Sequence, residues 1–272
     1  MRLWRAMAGA GLAMLAAQPA KAAAGDWTRC TISHGVLLVP AKAGGLTGPF
    51  VLDAATAHSV IDATQASLVG LPDAGATLAV RVAGLRIPAL SFAVAALDAR
   101  TRVQPTPVTG VLGADVLQGR VLEVWPSPCR LRIGVRASAM GRPTASLPVD
   151  RRADTPLVTA AVADNARAVR GAFRIATGGD VDVRLSPALA AYKNARGNAN
   201  GLTAPLRALS VGPWLIENPQ AAVAEAATPG VAGEIGEPVW ARYGLRLDLR
   251  RGRLELFDPE QQRTRRRRSG GS

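Results

Sequence analysis

The sequence has only two histidines and two cysteines, too few and too scattered for a metal cluster, and no cofactor is expected. Aromatic residues make up 4%, too few to line a basic groove with stacking platforms, so nucleic acid is not an expected partner. Charged residues are 19%, low for a chain with a formal charge of +13. That charge is also badly distributed for a binding surface. Arg2, Arg5 and Lys21 fall in the first 24 residues, and Arg263, Arg265, Arg266, Arg267 and Arg268 fall in the last ten. With those three and five set aside, the +13 falls to +5 over the body. No long stretch keeps a helical apolar period, and no Gly-x-Ser-x-Gly elbow supports a serine hydrolase.

The 272 residues do hold 48% hydrophobic residues, 28 glycines and 19 prolines. That mixture suits many short strands joined by turns. Residues 1–5 form a positive start, 6–17 an apolar run too short to span a bilayer, and Ala20-Lys21-Ala22 a small-residue cleavage signal. Residues 1–24 therefore read as an export signal, which predicts a periplasmic or secreted protein with no transmembrane segment once mature. In an oxidising compartment Cys30 and Cys129 either bridge or remain as two buried thiols. The terminal arginine tail (260–272) reads as solvated, with a weak contact to an anionic surface as its sharper alternative.

The chain repeats itself once. Phe50 falls on Phe173 at an offset of 123 residues. In the same register, Gly110-Val111-Leu112-Gly113 falls on Gly233-Glu234-Ile235-Gly236, Leu122-Glu123-Val124 on Leu245-Arg246-Leu247, and Arg130-Leu131-Arg132-Ile133 on Arg253-Leu254-Glu255-Leu256. Two copies of one domain-sized β plan are expected, spanning 25–138 and 156–259, with 139–155 as linker. The stretch 79–95 reads as a hairpin placed like a flap. A built-in pair of lobes predicts a monomer.

Two motifs in each copy carry a family resemblance. Val51-Leu52-Asp53-Ala54-Ala55-Thr56-Ala57 follows an apolar strand into a small-residue turn, and Val111-Leu112-Gly113 follows as an apolar pair and glycine. In outline this resembles the retropepsin-like aspartic proteases, including small periplasmic bacterial members. The resemblance implies an all-β pseudo-dimer of two lobes around a central cleft, with strands from both lobes in a shared sheet. It also implies an Asp-Thr-Gly turn in each lobe, whose two carboxylates share a proton and activate a water. The Thr hydroxyl would bond across to the other lobe, and the Gly would admit the backbone close to the carboxylate.

Neither copy keeps the triplet. Lobe one has Asp53 but Ala54 and Ala55; lobe two has Ala176 but keeps Thr177 and Gly178. Asp53 is thus a candidate lone catalytic carboxylate. Asp180 and Asp182 lie too far along the chain after Ala176 to replace it on a tight turn. His58 and His34 have no partner motif, and Trp125, Trp214 and Trp240 read as packing residues. Three functions stay in view: an aspartic endopeptidase with an altered site, a non-catalytic binder of extended peptide, and a structural envelope protein. The incomplete pair favours low or no peptidase activity.

Overall fold

The structure is a computed structural model that describes residues 27–97, 99–151, 154–164, 167–192, 205–224 and 228–260. The expected export signal and the basic tail beyond residue 260 lie outside the described residues.

Short apolar runs separated by glycines give short strands and tight turns. The chain enters through β1 (Thr28–Arg29) and β2 (Thr31–Ser33). Next, β3 (Val36–Ala43) and β4 (Leu46–Leu52) pair as a hairpin over Gly44, whose φ of 56° disfavours any side chain. β5 (Val60–Asp62) runs into α1 (Ala63–Leu68), with the Asp62 carboxylate accepting from the Thr64 and Gln65 N–H groups as a cap. β6 (Ala76–Val82) and β7 (Leu85–Ala95) form a second hairpin. After α2 (Ala99–Arg102) come β8 (Gly110–Leu112), α3 (Ala114–Leu117), and the closing hairpin of β9 (Val121–Pro126) and β10 (Cys129–Gly134).

The second lobe follows the same plan. β11 (Ala145–Asp150) leads to the hairpin of β12 (Leu157–Asp164) and β13 (Arg167–Ala176). β14 (Val183–Leu185), α4 (Pro187–Tyr192), β15 (Ala208–Val211), β16 (Trp214–Glu217) and β17 (Ala221–Val223) come next. β18 (Gly233–Gly236), α5 (Glu237–Trp240), β19 (Gly244–Asp248) and β20 (Arg253–Phe257) complete it.

The 123-residue offset holds in the strand pairing itself. In lobe one β4 runs parallel to β8, β8 antiparallel to β5, and β5 parallel to β7. In lobe two β13, β18, β14 and β17 repeat that order and sense. Val51 lies opposite Val111, and Arg174 opposite Glu234, each residue 123 positions from its counterpart. The motif turns therefore leave β4 and β13 at equivalent points. The molecule is all-β in the main, with five short helices among the described residues.

The lobes join through a sheet ordered β1-β10-β9-β19-β20-β11. At its centre β9 and β19 run antiparallel, and Glu123 faces Arg246, its own repeat counterpart. The Glu123 side chain is fully buried and accepts from Arg246 Nε at 2.8 Å, Arg132 Nη1 at 2.6 Å and the Ser138 N–H at 2.9 Å. Arg246 also bonds Glu255 at 2.7 Å and lies over the Phe257 ring. Cys30 and Cys129 form a disulfide between Cα atoms 5.0 Å apart, tying the chain's entry to β10.

Two details differ from the sequence reading. The stretch 139–155 is not merely a linker, because β11 pairs with both β20 and β12. Pro148 obscures it in the sequence, since proline is uncommon within strands. The 76–95 hairpin does not stand free as a flap. β6 pairs with β3 and β7 with β5, so both strands are bound into the lobe's sheet.

Truncating one member of the axial ion pair leaves the other buried. Arg246→Met is expected to cost about 3–5 kcal/mol. Arg246→Met with Glu123→Met should cost less than the sum of the two single changes, as measured by urea denaturation of all four proteins.

Candidate active site

Asp53 sits at the end of β4, 1% exposed, where the lobes meet. Its Oδ1 accepts the Ala55 N–H at 3.0 Å and the Gly178 N–H at 3.2 Å; its Oδ2 accepts the Thr56 hydroxyl at 2.9 Å. Replacement of the motif glycine by Ala55 is thus harmless to this bond, since the donor is backbone. Gly178 is more restricted. A Cβ there would lie 2.6 Å from Val51 Cγ1 and 2.7 Å from Asp53 Cβ, so lobe two must have glycine to reach the carboxylate.

Thr177 performs the cross-lobe contact. Its Oγ1 accepts the Ala54 N–H at 3.1 Å and donates to the Leu52 carbonyl at 2.7 Å. Its own carbonyl accepts the Leu37 N–H at 3.2 Å. Ala54 has no hydroxyl to return the contact, so the clamp is one-sided. Lobe one supplies the carboxylate, and lobe two supplies the hydroxyl and glycine that hold it.

Glycine also follows the second motif strand in each lobe, after Val111-Leu112 in one and Glu234-Ile235 in the other. A Cβ on Gly113 would lie 2.7 Å from the Thr56 carbonyl, and one on Gly236 only 1.9 Å from the Val181 carbonyl. These glycines bring the starts of α3 and α5 against the motif turns. The Ala114 N–H donates to Thr56 O at 2.7 Å, and the Glu237 N–H donates to Gly179 O at 2.9 Å.

Glu237 was not singled out from the sequence, and it is a second buried carboxyl group, close enough to Asp53 to feel its charge. It is 2% exposed at the first position of α5. Burial pushes its carboxyl well above the usual glutamate range, and the charge of nearby Asp53 pushes it further the same way. Its signal was present in the repeat: Glu237 falls on Ala114, a carboxyl where the other copy has a methyl group.

The remaining candidates lie elsewhere. Ala176 is buried, 1% exposed, at the end of β13, with no carboxyl to offer. Asp180 pairs with Arg184 at 2.8 Å, and Asp182 accepts the Gln220 N–H at 2.9 Å and faces Arg242 at 3.4 Å. His34 and His58 are exposed. Trp240 and Trp125 are buried, while Trp214 lies against Tyr243 with ring centroids 5.0 Å apart.

A cavity of about 450 Å³ lies beside the Asp53 turn, walled by Ala55 and Ala57 from lobe one and by Thr155, Arg174, Thr228 and Val231 from lobe two. Arg174 is held by Glu234 at 3.2 Å, Thr228 at 2.9 Å and Thr155 at 3.2 Å. The equivalent positions in lobe one are Val51 and Val111, which are buried with Val36, Leu38 and Val108. The two sides of Asp53 are therefore unlike: one packed and apolar, the other open and charged.

Thr177→Val removes the acceptor for a buried N–H and the donor to a buried carbonyl. It is expected to cost about 1–3 kcal/mol, read as a lower urea midpoint at unchanged slope. A second outcome concerns pH. The unfolded chain ionises Glu237 near its ordinary value of 4.5, whereas the folded protein keeps the proton to higher pH. Stability should therefore fall as pH rises from about 4.5 toward the raised folded value, by up to about 1.4 kcal/mol per pH unit. Glu237→Gln should remove that slope in denaturation series from pH 4 to 8.

No family model matches the sequence. No curated protein matches it either. Among solved structures, the aspartic proteinase from Irpex lacteus superposes with a TM-score of 0.53 at 14% identity, covering 86% of this chain and 97% of that one. The chain has the two-lobed fold of an aspartic proteinase.

Proposed function

We propose that this protein is an exported, retropepsin-like protein of the bacterial envelope that holds an extended peptide between its lobes and hydrolyses it slowly or not at all. The observation that carries this reading is Ala176. The turn of lobe two keeps the hydroxyl and glycine of the motif, but it uses them to hold Asp53 and brings no second aspartate. Loss of one acid–base group from such a pair costs about 10²–10⁴ in rate. The open cavity beside the turn supports a binding role, because both lobes wall it and polar side chains line one side. Export rests on the sequence of residues 1–24, and the Cys30–Cys129 disulfide is in keeping with an oxidising compartment. Among the described residues no helix is long and apolar enough to cross a membrane.

The reading is tested with the protein lacking residues 1–24 and a diverse pool of fluorogenic peptides from pH 3 to 7. Binding is expected, measured by fluorescence anisotropy, and should survive Asp53→Asn. Arg174→Ala should weaken it about tenfold. Cleavage should be slow or undetectable and should vanish in Asp53→Asn. No binding to any extended peptide would leave a structural role for the scaffold and sink the proposal.

A further inference from the structure

The two ends of the interlobe sheet are related by the repeat, yet they are finished differently. At one end Gly244 of β19 makes room for the Trp125 ring of β9 and lies opposite Phe257 of β20. The Trp125 and Phe257 rings, with centroids 6.1 Å apart, close this end together with Met140 and Trp27. Exchanging the lobes puts Asp248 at the place of Trp125, Val121 at that of Gly244 and Gly134 at that of Phe257. The row is the same, since Val121 faces both Gly134 and Asp248. Both rings are missing from it. The Arg132 guanidinium takes part of the space, 3.0 Å from where a Gly134 Cβ would be. The rest is a cavity of about 420 Å³.

This cavity opens on the outer face of the sheet. Along β9 and β19 its residues alternate with Leu122, Val124, Leu245 and Leu247, which belong to the main core. It shares no residue with the cavity beside Asp53. Its lining includes Arg136, Arg250 and Arg251 against one carboxylate, Asp248. Two of these arginines stand where the matching turn of lobe one has Ser127 and Pro128.

We propose that this cavity binds a phosphate monoester. Asp248 is 5% exposed and occupied within its own turn. Its Oδ1 accepts the Arg250 and Arg251 N–H groups, each at 3.0 Å, and its Oδ2 faces Arg251 Nη1 at 3.4 Å. Arg250 donates to the Val135 carbonyl, a neutral acceptor that leaves its charge uncancelled. Arg151 adds a further guanidinium beside the turn, donating to the Leu249 and Arg250 carbonyls at 2.7 and 2.9 Å. The lining thus carries a surplus of two positive charges, three arginines less one aspartate. A phosphate monoester brings about 1.5–2 negative charges at neutral pH. Guanidinium forks match its oxygens in pairs. The cavity is larger than a phosphate group and lies within the roughly 300–1,000 Å³ usual for small ligands, so it also has room for a sugar-sized body. Val121 and Ala137 offer that body an apolar wall.

Two probes carry this group on different bodies: glucose 6-phosphate, and vesicles of phosphatidylcholine with and without phosphatidic acid. The full chain is titrated with the sugar phosphate by calorimetry and sedimented with the vesicles. Wild type is compared with Arg136→Gln, Arg251→Gln, Ala137→Glu and Arg86→Gln, the last an exposed arginine on β7 as control. All five proteins keep both termini, so the basic tail contributes equally to each. Arg136 and Arg251 are exposed, and urea midpoints close to that of the wild type check that the variants fold. Each of these two substitutions should weaken binding about tenfold. Ala137→Glu leaves every arginine in place but adds a carboxylate to the wall, and should weaken it by about 10²-fold or more. Arg86→Gln should change nothing, and glucose alone should not bind. Binding of glucose 6-phosphate supports the site with a soluble ester as ligand; binding confined to phosphatidic acid vesicles supports it with a lipid headgroup. Three results overturn the proposal: no binding of either probe, full binding by Ala137→Glu, or an equal loss in Arg86→Gln, which would mark a diffuse charge effect.

Discussion

Everything in this molecule depends on the antiparallel meeting of β9 and β19, where Glu123, at the axis, faces its own repeat counterpart Arg246. Two identical lobes meeting this way would set like against like on the axis. Here Glu123 meets Arg246, and a buried carboxylate that could not be tolerated beside a second glutamate becomes the centre of an ion network. The pairing selects the partner. Lobe one is complementary to lobe two of the same chain, which fixes how the two motif turns approach.

The same division of labour extends to the cleft. Asp53 comes from one half; Thr177 and Gly178, which hold it, come from the other. Ala54 and Ala176 offer neither a hydroxyl nor a carboxyl to the opposite half. A symmetric enzyme needs each turn to serve both as carboxylate and as clamp. In a fused chain each turn can keep one task, because the partner is always present.

Much of this was legible in the sequence. The 123-residue offset could be read because it is carried by strands whose pairing partners share it, so several blocks keep one register despite loops of different length. The altered triplets were also visible, and the structure puts Asp53, Thr177 and Gly178 in one cluster. β11 was harder to see: it has six residues, a proline, and little buried surface of its own. Glu237 was missed for a different reason. Asp180 and Asp182 are the carboxyl groups close to position 176 along the chain, whereas Glu237 lies sixty-one residues on, just past a strand paired parallel with β13. Parallel pairing brings distant segments together and leaves no local pattern.

The unlike walls beside Asp53 have a consequence for discrimination. A chain laid across the turn would meet packed valines on one side and, on the other, an open hollow with a guanidinium fixed by three neighbours. Only the second can inspect a side chain in any depth. On the peptide-holding reading proposed above, such a groove would read a single letter of its ligand and accept wide variation in the rest, acting as a sieve for a shared feature among many sequences rather than a lock for one.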